Sequence, residues 1–395
     1  MTKLIPKLIL TRKRYLEKRP VFSIAASLGQ LSGCWLNKNY SFRKKAVRRL
    51  VEKSFFQERM ARELLDVLFQ ELTEAKLLKL LQAELKDPGV LDEFRLDALT
   101  GKQQRARGPR VITHIFSGNV PNPSIMSFVL GMLVKSVNIG KLSSKDEGFL
   151  DIYLDSLKDF DKKLAATNII LKPSVRARHA SPLQEYIRHS DLVVAYGSNE
   201  SLKEIRDLVP ITTPFVGYGH RVSFGIYAKN ALNKKNLEMF AQKTALDLWM
   251  TDQRGCLSPM EIIVEEGGEV SPEAFSAALK AQMERLFSMK GWRLPAGLRA
   301  VHTIGFAGRK MVSVRPVKNY RDILKLLKPF QKYLQAISLE TGAPSDKNIS
   351  LANDLSNLGV NRICRAGQMQ CPPITWHHDG KWNLASWLNW TDFEI

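Results

Sequence analysis

Apolar positions change their period partway along the chain. In "RKKAVRRLVEKSFFQERMARELLDVLFQELTEAKLLKLLQAEL", Leu64, Leu65, Leu68 and Leu72 fall on one side of a 3.6-residue turn. Residues 41–98 therefore read as helices. At 111–116 a β-branched run begins, broken by "SGNVPNP", which reads as a strand running into a loop. Strands and helices then alternate: helix "SIMSFVLGMLVKS", strand "VNIGKLSSKD", a helix near 147–165, strand "NIILK", helix "SPLQEYIRHS" and strand "DLVVAYG". The helix "SNESLKEIRDL" restarts behind a Ser/Asn cap with Glu in its first turn. This alternation predicts an α/β domain with a parallel sheet.

After Pro214 the rhythm shifts. "FVGYGHRVSFGIY" reads as a strand, and the helix "NKKNLEMFAQKTALDLWMTDQ" carries Leu237, Phe240, Ala241 and Leu248 on one face. Strand "EIIVEE", helix "SPEAFSAALKAQMERLFS", strand "MVSVRPV" and helix "YRDILKLLKPFQKYL" make a second α/β unit. The tail, "LANDLSNLGVNRICRAGQMQCPPITWHHDG", reads as a helix and a strand with an aromatic, Pro-rich end. At 395 residues the chain exceeds one ordinary core, so two domains are expected.

Composition is that of a globular chain, with 44% hydrophobic and 25% charged residues. No apolar run reaches the roughly 18 residues of a membrane span, so no integral membrane segment is expected. The charge is less ordinary. There are 59 Lys plus Arg against 39 Asp plus Glu, a net +20, and residues 1–53 hold fourteen basic side chains against two acidic ones. A solvated helical surface accounts for this, and so does an acidic partner: nucleic acid, an anionic membrane surface, a phosphate-bearing cofactor or an acidic carrier protein. Nucleic acid has only the charge in its favour, without an RNP-like aromatic pattern or zinc-finger spacing, and is not expected. Cys34, Cys256, Cys364 and Cys371 have neither disulfide-framework nor metal-ligand spacing, which points to a reduced, cytoplasmic setting and no metal.

The chemistry-bearing candidates are few. Cys256, in "DQRGCLSP", falls on a loop between a helix and a strand, where a thiolate would be accessible; an inert small residue is the ordinary alternative. Asn119 follows the first strand of the α/β region. Loops at the carboxyl ends of parallel strands form the binding crevice, and an amide there can donate to an oxyanion, although Asn before Val-Pro also simply forms turns. Gly197 and Ser198 open a helix whose N–H groups suit a phosphate, without the usual GxGxxG. Lys141 ends the second strand, where it can meet a ribose or phosphate or be an ordinary surface lysine. His220 lies 36 residues before Cys256, and His377 and His378 are adjacent, so their side chains diverge.

The order of these features (Asn loop, Lys, Gly-Ser helix start, Gly-rich strand, Cys) resembles the aldehyde dehydrogenase superfamily. More closely, the chain resembles the LuxC-type acyl-CoA reductases, the fatty-acid reductases of bacterial bioluminescence systems and their relatives. The resemblance lies in "HIFSGNVPNPSIMSFVLGMLVKSVNIGKLSSKD", "YGSNESLKEIR", "GYGHRVSFG", "DQRGCLSP" and "CRAGQMQCPPITWHHDG". It implies that Cys256 is the nucleophile taking the acyl group, and that Asn119 with the cysteine's backbone N–H forms the oxyanion hole. Phe116, Ser117 and Gly118 would pass beside the nicotinamide ribose, Lys141 would meet the adenosine ribose, and Gly197 and Ser198 would receive the pyrophosphate. NAD-preferring members carry Glu where this chain has Ser144 followed by Lys145, which favours NADPH. Hydrolytic members carry "ELGG" where this chain has "GYGHRVSFG", so the water-activating Glu is missing, as a reductase requires; His220 is the candidate proton donor or acceptor.

The fold implied is aldehyde dehydrogenase-like: a helical lead-in and a Rossmann-type NADP-binding domain over 1–215 with a return at 346–395, and an α/β catalytic domain over 216–345. The function implied is NADPH-dependent reduction of a long-chain acyl-CoA or acyl-carrier-protein thioester to an aldehyde through an acyl-cysteine. An acyl-transferring or synthetase subunit is a further candidate partner, and a homo-oligomer is expected, with no clear dimerisation arm in the sequence. Reversing the charges of Arg43, Lys44, Lys45, Arg48 and Arg49 is expected to weaken a carrier-protein complex in a salt-dependent way. The alternative is a catalytically silent relative serving as a basic binding subunit, against which the joint presence of Cys256, Asn119 and Lys141 argues.

Overall fold

The structure, a computed structural model, describes residues 4–53, 56–118, 120–143, 148–171, 182–288, 303–305, 311–342 and 345–394. The chain divides into two compact units, Met1–Gly219 with Pro373–Ile395, and His220–Pro372.

The first unit opens with helices Leu4–Tyr15, Val21–Leu36, Ser41–Lys53, Glu58–Glu71 and Glu74–Leu85. The apolar side of Glu58–Glu71 is the predicted one: Leu64, Leu65 and Leu68 are buried on it, with Phe69 stacked on Trp35 at 4.6 Å between ring centres. Two short strands follow, β1 (Arg95–Leu96) and β2 (Gln103–Arg107). The main sheet comprises β3 (Val111–Ile115), β4 (Val137–Lys141), β5 (Asn168–Leu171), β6 (Leu192–Tyr196) and β7 (Phe215–Tyr218), ordered β5-β4-β3-β6-β7. Every pairing in it is parallel. Strands covered on both faces must be apolar throughout, and β3 is buried at all five positions. The order reverses between β4 and β6 on either side of β3, which opens a crevice beyond their carboxyl ends.

The second unit holds β8 (Val222–Tyr227), β9 (Pro259–Glu265), β10 (Thr303–Gly305), β11 (Met311–Val317), β12 (Leu334–Glu340) and β13 (Arg362–Cys364), ordered β10-β11-β9-β8-β12-β13. All pairs are parallel except β10 with β11. Phe224, Ile226, Ile263, Leu334 and Ile337 of these strands share a core with Ile323, Leu327 and Leu355 of the covering helices. After this unit the chain returns to the first, where β14 (Asn389–Phe393) pairs antiparallel with β2 to complete a three-stranded sheet with β1.

Three expectations need correction. "FVGYGHRVSFGIY" is two strands in separate sheets: β7 alternates between partly and fully buried positions, β8 is buried throughout, and Gly219–Arg221 between them carries no ladder. The return lies at Pro373 rather than 346, because β13 adds to β12 as an edge of the second sheet and keeps helix Ser345–Asn357 with it. The helix expected over "YRDILKLLKPFQKYL" ends at Leu327, and the last residue of that stretch, Leu334, instead opens β12, which is buried at all seven positions.

Candidate active site

Cys256 sits in the turn between helix Leu237–Trp249 and β9, at the amino-terminal edge of the second sheet. The helix is broken by two successive left-handed residues, Asp252 (φ 49°) and Gln253 (φ 55°), each costing roughly 1 kcal/mol or more for a residue with a Cβ. That reversal is tied down by Asp252 N–H to the Trp249 carbonyl (3.0 Å), Arg254 N–H to that of Thr251 (2.9 Å) and Ser258 N–H to that of Gly255 (3.0 Å). The thiol is partly exposed.

Side chains from four strands and loops hold this turn. Buried Ser223 of β8 donates its hydroxyl to the Cys256 carbonyl (2.6 Å) and accepts from the Ala336 N–H (3.1 Å). Gln335 of β12, also buried, brings Nε2 to 3.9 Å from the Cys256 Sγ, and its Oε1 accepts from Asn361 Nδ2 at 3.1 Å. On the other side Thr251 and Ser258 share a hydroxyl hydrogen bond (2.9 Å), and Gln370 Nε2 donates to Ser258 (3.0 Å) and to the Asp247 carbonyl (2.8 Å).

The Asp247 carboxylate, on the helix before the turn, accepts from the N–H groups of Gly367 (2.6 Å) and Met369 (2.9 Å). Burial pushes its carboxyl up to about 7 against the pull of those N–H groups and of Arg362. Arg362 donates to the carbonyls of Met369 (2.8 Å) and Gln368 (2.7 Å), so the segment "CRAGQMQ" is clasped from both sides. Cys364, at the start of that segment, has its thiol pushed up to about 11 by burial.

The first unit presents its own candidates at the carboxyl ends of its strands. Phe116, just past β3, donates its N–H to the Lys141 carbonyl (3.0 Å) at the end of β4. Ser117 is partly buried, and Gly118 has φ +74°, a conformation that suits glycine. Gly197 follows β6, and Ser198 caps helix Asn199–Leu208 by accepting from Ser201 N–H (3.3 Å). Gly219 lies so near this helix start that a Cβ there would come within 2.7 Å of Asn199 Oδ1. Aromatic rings line the same edge: Phe116 stacks on Tyr196 (5.6 Å), Tyr196 on Tyr218 (4.7 Å), and Tyr218 on His378 of the returning tail (4.3 Å).

Beneath the edge, the buried His114 bonds Ser127 through Nδ1 (2.8 Å) and Asn138 Oδ1 through Nε2 (2.9 Å), so the Nε2 carries the proton and the Nδ1 accepts. Burial brings its pKa down to about 4, so the ring is neutral near pH 7.

Thus Phe116, Ser117, Gly118, Lys141, Gly197 and Ser198 belong to the first unit, and Cys256 and the exposed His220 to the second. Asn119 and Ser144 lie outside the described residues. Ser223, Asp247, Gln335, Asn361 and Gln370 were not singled out in the sequence. The one signal they leave there is a polar residue inside an apolar run, as with Gln335 in "LQAISLE".

A switch-point parallel sheet in the first unit and, in the second, a sheet bearing a cysteine turn define an aldehyde dehydrogenase-like fold. The NAD-dependent aldehyde dehydrogenase from Sinorhizobium meliloti matches with a TM-score of 0.71 at 10% identity, over 100% of this chain and 87% of that one. The succinic semialdehyde dehydrogenase from Streptococcus pyogenes in complex with NADP+ matches with a TM-score of 0.67 at 12% identity, over 100% and 94%. The sequence narrows the class. Residues 16–296 and 302–390 match the acyl-CoA reductase (LuxC) family, and the chain belongs to it. A long-chain acyl-protein thioester reductase from Photorhabdus laumondii subsp. laumondii is 26% identical over 232 residues, 58% of this chain and 47% of that protein. Long-chain acyl-protein thioester reductase 2 from Photobacterium leiognathi is 23% identical over 399 residues, 91% and 80%. In the first of these alignments the match spans about half the relative's length.

Proposed function

We propose that the protein reduces an acyl thioester, from a long-chain acyl-CoA or an acyl-carrier protein, to an aldehyde, with NADPH as reductant and Cys256 as the acyl-bearing nucleophile. The observation that carries this reading is the Cys256 turn: a partly exposed thiol on a strained reversal, its carbonyl held by Ser223 and its sulfur faced by Gln335. A core cysteine would call for none of these.

The carboxyl edge of the first sheet fits a dinucleotide. Gly118 supplies a left-handed turn after β3, Gly219 leaves room for the Asn199 side chain at the helix start, the ten-residue helix Asn199–Leu208 offers its positive end to a pyrophosphate, and Lys141 supplies a cation at the end of β4. Ser144 and Lys145, where NAD-preferring relatives carry a carboxylate, favour the 2′-phosphate of NADPH. When bound, the nicotinamide supplies hydride to the acyl carbon.

The protein's part is as follows. Cys256, as thiolate, attacks the thioester carbonyl and displaces the donor thiol. Asn119 and the Cys256 N–H hold the oxygen on which charge develops. After reduction the thiohemiacetal on Cys256 collapses, releasing aldehyde, and His220 exchanges the proton. The stretch "GYGHRVSFG" brings no carboxylate to activate water, so the acyl-cysteine survives until it is reduced.

Intact-protein mass spectrometry tests the reading. With a long-chain acyl-CoA, the wild type is expected to gain one acyl group and Cys256→Ala none, and NADPH is expected to discharge the adduct as aldehyde. No adduct from either acyl-CoA or acyl-carrier protein would overturn it and favour a silent binding subunit.

A further inference from the structure

Gln335 is the second residue of β12 and is fully buried, an amide inside the strand "LQAISLE". A buried amide costs about 1–3 kcal/mol unless its groups are satisfied, so its orientation carries information. Here it is determined by a neighbour: Asn361 Nδ2 donates to Gln335 Oε1 (3.1 Å), which places the Gln335 NH2 end toward Cys256 Sγ at 3.9 Å. Asn361 is anchored in turn, donating from Nδ2 to the Leu334 carbonyl (3.2 Å) and from its backbone N–H to the Gln335 carbonyl (3.1 Å). The next residue along β12, Ala336, gives its N–H to Ser223, which holds the Cys256 carbonyl. The strand that presents the amide therefore also locates the cysteine backbone.

We propose that Gln335 is a catalytic residue: its amide N–H, aimed by Asn361, is the hydrogen-bond donor to the Cys256 thiolate. The inference rests on Cys256 being the acyl-bearing nucleophile. At 3.9 Å the contact is loose for a neutral thiol, and a charge-assisted bond to the thiolate tightens it. The donor acts twice in one cycle. Thiolate Sγ bonds to the thioester carbon as the donor's carbon–sulfur bond breaks, the departing thiolate taking a proton from solvent. Once hydride from the reduced nicotinamide has reached that carbon, the carbon–Sγ bond breaks to give the aldehyde and returns the sulfur as thiolate. Stabilising the thiolate raises its population before attack and eases its departure at the end.

The test follows the pH dependence of iodoacetamide alkylation at Cys256, read on its own peptide by mass spectrometry so that Cys34, Cys364 and Cys371 do not interfere. Gln335→Met keeps the bulk and removes the donor; Gln335→Glu keeps the shape and adds negative charge. The midpoint is expected to move up by about one unit in Gln335→Met, about tenfold less thiolate at neutral pH, and further in Gln335→Glu. Asn361→Ala frees the amide to turn, and a smaller upward shift is expected; this variant decides the matter if the strand variants fail to fold. A merely structural Gln335 would not rank the midpoints in this order, and unchanged midpoints overturn the proposal. Acylation by a long-chain acyl-CoA, measured on the same samples, separates the two claims. A wild type whose midpoint depends on Gln335 but which never takes an acyl group sinks the proposed function and leaves the donor standing; normal acylation with unmoved midpoints does the reverse.

Discussion

Arg43 looks, by sequence, like one more member of the basic run at the amino terminus, alongside Lys44, Lys45, Arg48 and Arg49. Its side chain is buried and makes a salt bridge to Asp66 (2.8 Å) while donating to the carbonyls of Trp35 (2.9 Å) and Arg62 (3.2 Å). It therefore links three helices instead of presenting charge, and it has to be taken out of the proposed basic face. Lys44, one position on, is exposed, because adjacent helical positions point about 100° apart. Arg43→Ala leaves two carbonyls and a carboxylate without their donor, and we expect a loss of about 2–4 kcal/mol. Lys44→Ala should stay within about 0.5 kcal/mol. Urea unfolding of both variants checks this, and equal midpoints would mean the Arg43 contacts contribute nothing net.

At the scale of elements, the alternation of strand and helix from β3 to helix Asn199–Leu208 was readable because apolar runs, caps and glycines all agreed there. The antiparallel sheet of β1, β2 and β14 was not readable, since "QQRAR" is polar and its partner β14 lies nearly three hundred residues away, as with Gln104 and Asp392. The site divides in the same way. Cys256 announced itself by its Gly and Ser-Pro neighbours, whereas Gln335 stands 79 residues from it and reaches it only because β8 separates β9 from β12 in the sheet. Asp247 was equally hidden, a carboxylate in mid-helix whose partners, the N–H groups of Gly367 and Met369, lie 120 and 122 residues further along the chain. Its carboxyl, raised by burial to about 7, stands above the roughly 3.9 of an unfolded chain, so across that window the folded protein binds more protons than the unfolded one. The contribution is thus fully present below about pH 4 and is lost as pH rises through about 7. Asp247→Asn has no such titration. Its stability deficit relative to wild type should be larger near about pH 5 than near about pH 8, because only the wild type loses stability between them. Melting curves at the two pH values measure this, and an equal deficit at both would show that Asp247 does not titrate in that range.

At the scale of the whole molecule, more than half of the net +20 charge falls within residues 1–53, in the helices that precede the first sheet. With Arg43 accounted for internally, helix Ser41–Lys53 still exposes Lys44, Lys45 and Arg48, and Lys45 has Asp155 at 3.8 Å as a surface partner. A surface pair of that length contributes roughly 0–1 kcal/mol and leaves the cation open to competition from another acidic group. If the acyl donor is an acidic carrier protein, this face is where long-range attraction would act, and attraction between exposed charges fades with ionic strength as the Debye length falls from about 10 Å at 0.1 M to about 3 Å at 1 M. We therefore expect the triple variant Lys44→Glu, Lys45→Glu and Arg48→Glu to raise KM for an acyl-carrier protein roughly tenfold at low salt through slower association, with kcat unchanged. The difference should close at about 0.5 M salt. A coenzyme A thioester has too little surface to span the helix, so its KM should move far less. Steady-state kinetics with both donors across a salt series separate the cases. Equal weakening for both donors would place the effect on the phosphates of coenzyme A, and no change for either would make the face a solvated surface, leaving the amino-terminal charge without a role in delivering the thioester.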